Sequence, residues 1–225
     1  MSQTEEHTSG GEIDFEYMEN ARKPRGDAGR SILDTMNESH AKLTEWGFGH
    51  ILFGDSVLDV GCGGGNALRL AMHKDPGAQF FGIDYSDIAI EKATSFNGEA
   101  VMSGRLILKK ADVRSLPFPD SFLDTVYSVE SYFFWPDLDG ALREIARVLK
   151  KNGIFSIIVE MVEGDMSEEY RQITEHMHMN VLTPAALKEA YEKAGFLFTE
   201  PASRRACPAV RHTGGRTDAA DRRFP

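Results

Sequence analysis

Three acidic residues and one glycine-rich turn have the clearest chemical potential in this 225-residue chain. Asp59 ends an apolar run and precedes the turn 61–65, in which four of the five residues are glycine. Backbone N–H groups can approach a ligand closely there, because no Cβ intervenes. Asp84 lies 19 residues beyond the turn, where a carboxylate can grip both hydroxyls of a ribose. Asp112 can accept a hydrogen bond from an adenine amino group, so the set predicts a nucleoside site.

The glycine turn departs from two familiar phosphate-binding turns. The dinucleotide fingerprint requires glycine at its first, third and sixth positions, and these positions are Gly61, Gly63 and Asn66. A Walker turn would end in Gly-Lys-Ser/Thr, and no lysine occurs in this turn. The glycines recur instead at Gly61, Gly63 and Gly65. Asn66 therefore makes pyrophosphate binding, and with it an NAD oxidoreductase, a distant alternative.

Short apolar strands and amphipathic helices alternate around these residues. The predicted strands cover residues 57–60, 79–84, 106–112, 122–129 and 154–159, and residues 196–199 can supply a further, closing strand. The predicted helices cover residues 67–72, 86–96, 138–150 and 184–194. Such apolar strands, separated by helices, predict an α/β fold with a parallel sheet covered on both faces. Ligands of these sheets bind beyond the carboxyl ends of the strands, which is where the three acids lie.

Composition divides the chain into three segments. Residues 1–28 are polar and acidic, so we expect a flexible N-terminal segment. The domain at 29–200 begins with a helical cover, 31–46, whose apolar residues recur at helical spacing. Residues 201–225 form an atypical basic tail with six arginines and no lysine, whereas the preceding 200 residues hold nine arginines and ten lysines.

The basic tail allows two interpretations. It lacks the period-2 alternation of a strand, so we expect no strand there and regard the last strand of the sheet as doubtful. The tail is either a natural disordered segment or an altered, frame-shifted end that replaces a native strand. An absent strand would expose a sheet edge and favour pairing between chains. The sequence does not fix the oligomeric state, and a homodimer stays open.

The overall composition excludes several classes of partner. The net charge of −10 argues against nucleic acid, because phosphate binding requires a basic face. No apolar run approaches the ~20 residues that a membrane span requires, so we expect no membrane partner. The acidic start does not resemble a signal peptide. Cys62 and Cys207 are the two cysteines, and Cys62 lies in the glycine turn, so we expect a reducing, cytoplasmic setting.

Over about residues 30–200 the chain resembles the class I S-adenosylmethionine (SAM)-dependent methyltransferases. The likeness rests on the glycine turn and the acids that follow it, on Leu116-Pro117-Phe118, and on the segment 142–153. It is most similar to the small-molecule branch that includes the ubiquinone/menaquinone-biosynthesis enzymes. The resemblance implies a Rossmann-like, doubly wound, mostly parallel sheet of seven strands, with S-adenosyl-L-methionine as cofactor.

The resemblance also implies roles for individual residues. The glycines of the turn would lie under the methionine part of the cofactor, and Asp59 would orient the turn and the cofactor's amino group. Asp84 would bind the ribose, with Tyr85 against the adenine. Asp112–Val113 would bind the adenine, and Ser128 completes the cofactor set. The alternatives are a helix cap for Asp84 and a surface-turn acid at position 112.

The end of the fourth predicted strand bears on the methyl acceptor. Methyltransferases that act on exocyclic amines of nucleic-acid bases carry Asn/Asp-Pro-Pro-aromatic there, whereas this chain has Ser-Val-Glu-Ser-Tyr-Phe-Phe-Trp over 128–135. We therefore expect a small-molecule acceptor. The aromatic residues 133–135 either wall the transfer site, where rings attract a sulfonium cation, or pack in the core or a lid.

A general base is required if the acceptor arrives protonated. The candidates are His40 on the cover helix, Glu130 and Tyr132, with His176 and His178 in a segment suited to a substrate lid. An exposed or core role is the alternative for each histidine. The His-x-His pair has no third ligand at convincing spacing, so we expect no metal.

Two further functions remain open on the same fold. A non-catalytic module that senses SAM or a nucleoside would bind SAM without forming S-adenosylhomocysteine. An aminopropyl transferase would require paired carboxylates after the fourth strand, where the sequence offers Glu130.

Overall fold

The computed structural model of the chain describes residues 8, 9, 12–160, 162, 163, 167–198 and 209–212. The strands are β1 (Thr8–Ser9), β2 (Glu12–Ile13), β3 (Ser56–Val60), β4 (Gln79–Asp84), β5 (Leu106–Lys110), β6 (Leu123–Val129), β7 (Leu149–Ile158), β8 (Phe196–Phe198) and β9 (Ala209–His212). The helices are α1 (Phe15–Arg22), α2 (Gly26–Ser39), α3 (Ala41–Phe48), α4 (Asn66–Lys74), α5 (Asp87–Phe96), α6 (Gly98–Met102), α7 (Leu138–Val148), α8 (Glu168–His176) and α9 (Pro184–Lys193), with a 3-10 helix at Tyr132–Phe134.

Five parallel strands form the centre of the sheet in the order β5-β4-β3-β6-β7. Every residue of β3 is buried, as expected of a strand covered on both faces. The chain builds the sheet to one side of β3 and then to the other, so β3 marks a topological switch point. Asp59 is level with Gly82 of β4 and Tyr127 of β6. The predicted α/β fold with a parallel sheet is confirmed.

Two antiparallel strands continue the sheet beyond β7. β9 pairs with β7, with Phe155 level with Val210, and β8 pairs with β9. The sequence predicted a strand at β8 but none in the tail, because alternation is missing there. Ladder hydrogen bonds use backbone groups, so a four-residue segment can pair without an alternating pattern. The other tail residues, 201–208 and 213–225, lie outside the described residues.

The N-terminal cover differs in detail from the sequence prediction. One helix was expected at 31–46, and the structure has two, α2 and α3, which meet at His40. A third helix, α1, lies within the segment expected to be flexible, and the Asp14 side chain caps it by accepting from the Tyr17 N–H. Arg30–Glu91 and Asp34–Lys92 ion pairs join α2 to α5. The cover is therefore tied to the sheet's own helices.

Helix caps match the sequence closely. Ser86 caps α5, and Thr183 caps α9 with Pro184 in its first turn. The helix predicted at 138–150 ends at Val148, because β7 already begins at the next residue. Outside the cover, local signals therefore place the bounds of most predicted elements within two residues, and the exception is the start of β7, which was expected at residue 154 and lies at Leu149.

The apolar core fills both faces of the sheet. One cluster includes Phe155 and Tyr191 under α7 and α9, and the other includes Phe80 and Leu68 under α3 and α4. Cys62 is a buried free thiol. Within the described part of the chain, no helix combines the length and apolar character that crossing a membrane requires.

Candidate functional site

A cavity of about 320 Å³ lies at the carboxyl ends of the parallel strands. Its size falls within the range of small-molecule sites, about 300–1,000 Å³. The residues that line it come from the ends of α1, β3, β4, β5 and β6 and from α2. They include Arg22, Lys23, Leu33, Met36, Gly61, Gly63, Asp84, Tyr85, Asp112, Val113, Arg114, Glu130, Ser131, Phe134 and Trp135. A second cavity of about 50 Å³ adjoins it and shares Gly61 and Gly63 with it.

The glycines of the turn adopt conformations that other residues rarely take. The φ angles are +78° at Gly61, +50° at Gly63 and +84° at Gly65. A Cβ on Gly61 would lie 2.4 Å from the Ser131 Oγ, whereas a Cβ on Gly63 would meet no protein atom closer than 3.8 Å. Gly63 therefore leaves room for a ligand. Gly65 lines neither cavity and packs against Asn97, whose amide donates to its carbonyl at 3.0 Å.

Asn66, which breaks the dinucleotide fingerprint, joins the turn to the cover. Its side-chain amide donates to the Asn37 carbonyl at 2.6 Å, and its N–H donates to the Asn37 Oδ1 at 3.3 Å. Asn37 in turn donates to the Gly64 carbonyl at 3.3 Å. A glycine at the sixth position would lose the side-chain bond and keep only the backbone one. Sequence reasoning missed Asn37, because no local spacing signals a contact between α2 and a turn so far along the chain.

Asp59 is 1% exposed and lines the smaller cavity. Its two carboxyl oxygens make no hydrogen bond of standard geometry to a described residue. Burial raises the pKa of Asp59 well above its ordinary value and Asp84 adds to this, while the nearby Tyr127 hydroxyl opposes it. An unpaired buried carboxyl is costly, and a ligand ammonium group would satisfy it.

Asp84 lies at the end of β4 and is 8% exposed. Its Oδ2 accepts from the Gly63 N–H at 3.0 Å, and its Oδ1 accepts from the Ser86 N–H at 2.9 Å. Burial raises the pKa of this carboxyl, and the backbone donors oppose the rise. Each oxygen keeps a further lone pair for a ligand hydroxyl. The next residue, Tyr85, is half-exposed and donates its hydroxyl to the Arg22 carbonyl.

Asp112 and Val113 both line the larger cavity, as the sequence predicted. The Arg114 guanidinium donates to both carboxyl oxygens of Asp112, with Nη2 to Oδ2 at 2.6 Å, and the Arg114 N–H donates at 2.9 Å. These bonds lower the pKa of Asp112. Sequence reasoning missed Arg114, which fixes the orientation of this carboxylate.

Ser128 and Tyr132, two of the predicted site residues, do not line either cavity. Ser128 is fully buried, and its hydroxyl bonds the Ser131 hydroxyl at 2.8 Å. Tyr132 is also fully buried, its hydroxyl accepts from the Leu182 N–H at 3.2 Å, and burial raises its pKa to about 12. The 3-10 turn after β6 directs Tyr132 into the core.

Glu130 does line the larger cavity. It holds a left-handed φ of +48°, which is uncommon for a residue with a Cβ. Its N–H donates to the Ile158 carbonyl at 3.0 Å, and its carboxyl accepts from the Glu160 N–H. Burial, with a smaller effect of the Glu160 charge, raises the pKa of Glu130 to about 8. Glu130 is therefore mostly protonated at neutral pH.

The raised pKa predicts how stability depends on pH. Between about pH 4.5 and 8 the folded state holds a proton on Glu130 that the unfolded chain has released. The free energy of unfolding should therefore fall as pH rises through this window, and Glu130→Gln should flatten the fall. Urea unfolding of both proteins at pH 5, 7 and 9 measures this. Parallel curves for the two proteins would contradict the assignment.

The histidine candidates occupy different places. His40 lines the smaller cavity, and burial lowers its pKa to about 4. Such a ring has too little affinity for protons to be an effective general base at pH 7. His176 and His178 are exposed and line neither cavity. His176 stacks on Phe15 with ring centroids 3.9 Å apart.

The aromatic residues after β6 divide between the two expected roles. Phe134 and Trp135 line the larger cavity, and Phe133 packs in the core. The described residues contain no cluster of three His, Cys, Asp or Glu side chains placed to hold a metal.

Comparison with known proteins agrees with this geometry. A family model described as a methyltransferase domain matches residues 58–157. The sterol 24-C-methyltransferase erg6 of Aspergillus fumigatus is 33% identical over 153 residues, which are 64% of this chain and 40% of that protein. The 27-O-demethylrifamycin SV methyltransferase of Amycolatopsis mediterranei is 34% identical over 53% of this chain and 44% of that protein. The chain thus spans less than half the length of these curated relatives.

A solved structure shows the same likeness in three dimensions. A chain from the complex between the Haloferax volcanii Trm112 methyltransferase activator and a methyltransferase is 29% identical, with a TM-score of 0.63. The match covers 74% of this chain and 75% of that one. The match to the ubiquinone/menaquinone-biosynthesis branch stays a prediction. Over residues 58–157, somewhat less than half of its length, this chain is therefore similar to methyltransferase domains.

Proposed function

We propose that this chain transfers a methyl group from SAM to a small-molecule acceptor by in-line displacement. The observation that carries the proposal is the arrangement of Asp59, Asp84 and Asp112 around two adjoining cavities at the ends of three neighbouring strands. The cofactor has an ammonium group, two ribose hydroxyls and an adenine amine, each of which a carboxylate can bind.

Two features of the site support the fit of this cofactor. The Asp59 oxygens are buried, and apart from the nearby Tyr127 hydroxyl they have no polar side-chain partner of standard geometry among the described residues, so a ligand ammonium group would satisfy them. The missing Cβ of Gly63 leaves space that the protein itself does not fill. Both features lie beside the turn that would hold the methionyl part of SAM.

The chain's own contribution to methyl transfer is alignment and exclusion of water. SAM supplies an activated methyl group on a sulfonium, which is already an excellent leaving group. Leu33 and Met36 of α2 and the rings of Phe134 and Trp135 form apolar walls. Aromatic rings also attract cations. Protonated Glu130 can donate a hydrogen bond to the acceptor at neutral pH, and it can accept a proton once it ionises near pH 8.

The apolar walls favour an acceptor with a largely apolar body. The names of the two curated relatives specify methyl transfer to a sterol and to a demethylrifamycin, which supports a small-molecule acceptor here. The acidic net charge supports the exclusion of nucleic acid. A cytoplasmic location and a homodimer stay predictions.

Calorimetric titration tests the cofactor, with SAM and NAD added separately. SAM should bind and NAD should not, and the reverse would overturn the proposal. Labelled SAM, incubated with the protein and a metabolite pool, should then yield a labelled product and S-adenosylhomocysteine. A protein that binds SAM and forms no product from any pool would be the non-catalytic module.

Decarboxylated SAM belongs in the same titration. An aminopropyl transferase requires paired carboxylates, and Glu160 lies close enough to Glu130 to raise its pKa. Productive transfer of an aminopropyl group from decarboxylated SAM to a polyamine would favour that alternative over methyl transfer.

A further inference from the structure

The smaller cavity contains a second polar group besides Asp59. His40 lines it at the junction of α2 and α3, opposite the glycine turn. Thr44 holds the His40 backbone, because its hydroxyl donates to the His40 carbonyl at 2.8 Å. No hydrogen bond joins the His40 ring to another of the described residues. The ring is therefore placed for a ligand.

The backbone donors of the turn are almost fully used. The N–H groups at positions 61, 62, 63, 65 and 66 all donate to protein acceptors. Gly64 is different, because the described residues offer its N–H no acceptor. The Asn37 side chain also borders the cavity. Its amide nitrogen already donates to the Gly64 carbonyl, and its oxygen already accepts from the Asn66 N–H. Apart from the weak S–H donor of Cys62, the free donors that the described residues place at this cavity are thus the His40 ring and the Gly64 N–H.

The charges around the cavity complete the pattern. The acidic residues here are Asp59 and, interacting with it, Asp84, and no lysine or arginine lines the smaller cavity. A methionyl group carries both an ammonium and a carboxylate. Asp59 suits the ammonium, and the carboxylate requires donors that the two acids cannot provide.

We propose that His40, together with the Gly64 N–H, binds the carboxylate of the cofactor's methionyl group, and so makes the site selective for SAM over decarboxylated SAM. This inference rests on the proposed function. His40 is then a cofactor-binding residue rather than the base that the sequence suggested. Because burial lowers the pKa of His40 to about 4, the ring is neutral at pH 7 and keeps one N–H to donate.

A ligand-by-variant comparison tests this role. Calorimetry at pH 7 would measure the affinities of SAM and decarboxylated SAM for the natural protein, His40→Leu and His40→Gln. Hydrogen bonds to charged groups are strong, so His40→Leu should weaken SAM binding at least tenfold and decarboxylated SAM binding less than twofold. His40→Gln, which keeps an N–H donor, should recover part of the loss.

The matched control is His50→Leu, an exposed histidine just beyond α3, which should change neither affinity. Equal losses for the two ligands in His40→Leu would show a merely structural role and overturn the inference. Failure of the natural protein to bind SAM would instead overturn the proposed function, so the two failures are distinguishable.

Discussion

Asp84→Ala should abolish measurable SAM binding. The Asp84 carboxyl is buried at the end of β4, lines the larger cavity and is held by the Gly63 and Ser86 N–H groups. Two ribose hydroxyls bonded to this carboxylate would each contribute about 1.5–3 kcal/mol. Their loss corresponds to a decrease in affinity of at least a hundredfold.

The alanine also leaves two backbone donors without their acceptor, so some stability is lost, about 1–3 kcal/mol for each buried unpaired group. Asp84→Asn keeps the shape and one acceptor, and it should still weaken SAM binding more than tenfold.

Asp87→Ala is the matched control, because Asp87 is exposed in the next helix and pairs with Lys110 at 2.6 Å. Calorimetric titration beside a thermal melt measures both effects. A folded Asp84→Ala protein with nearly natural affinity would disprove the ribose assignment.

The positions of the three acids could be predicted from the sequence, because each lies at or near the end of a strand that a local pattern identifies. Asp59 is the last residue but one of β3 and Asp84 is the last residue of β4, and strands with helical crossovers pair in parallel, so their carboxyl ends meet at one edge of the sheet. The same reasoning placed Asp112 and Val113 at the cavity. The sequence did not show that Arg114 binds Asp112, because a pattern specifies the backbone path and not the choice of partner.

The residues at the end of β6 and just beyond it show the limits of local reasoning. Ser128 and Tyr132 were expected at the site, and both are buried away from it. Ser128 is buried within β6 itself, and Tyr132 is buried in the 3-10 turn, which follows the left-handed Glu130. Glutamate is not a residue type that indicates a positive φ, so the left-handed backbone at Glu130 could not be predicted from the sequence.

Contacts between segments that lie far apart in the chain could not be predicted from the sequence either. Asn37 and His40 reach the glycine turn because α2 docks across it, and docking depends on tertiary packing. The helical periodicity correctly predicted a cover. It did not predict that the cover would supply polar groups to the cofactor cavity.

Gly63→Ala should cost most of the SAM affinity while leaving the protein folded. A Cβ at this position would lie 3.8 Å from the Leu33 Cδ2 as its nearest protein neighbour, so the fold can accommodate it. The methyl group would instead occupy space beside both cavities, which Gly63 lines. We expect at least a tenfold loss of affinity, or about 1.4 kcal/mol.

Gly104→Ala separates this steric effect from backbone strain. Gly63 and Gly104 both hold a left-handed φ, +50° and +76°, and a Cβ at Gly104 would meet nothing within 4 Å. Each alanine should therefore cost about 1–2 kcal/mol of stability. Only Gly63→Ala should also weaken SAM binding, because Gly104 borders neither cavity. Urea unfolding and calorimetry on both variants measure the two effects separately. Equal affinities would mean that SAM does not approach the backbone at Gly63, and the methionyl part would then have to lie elsewhere.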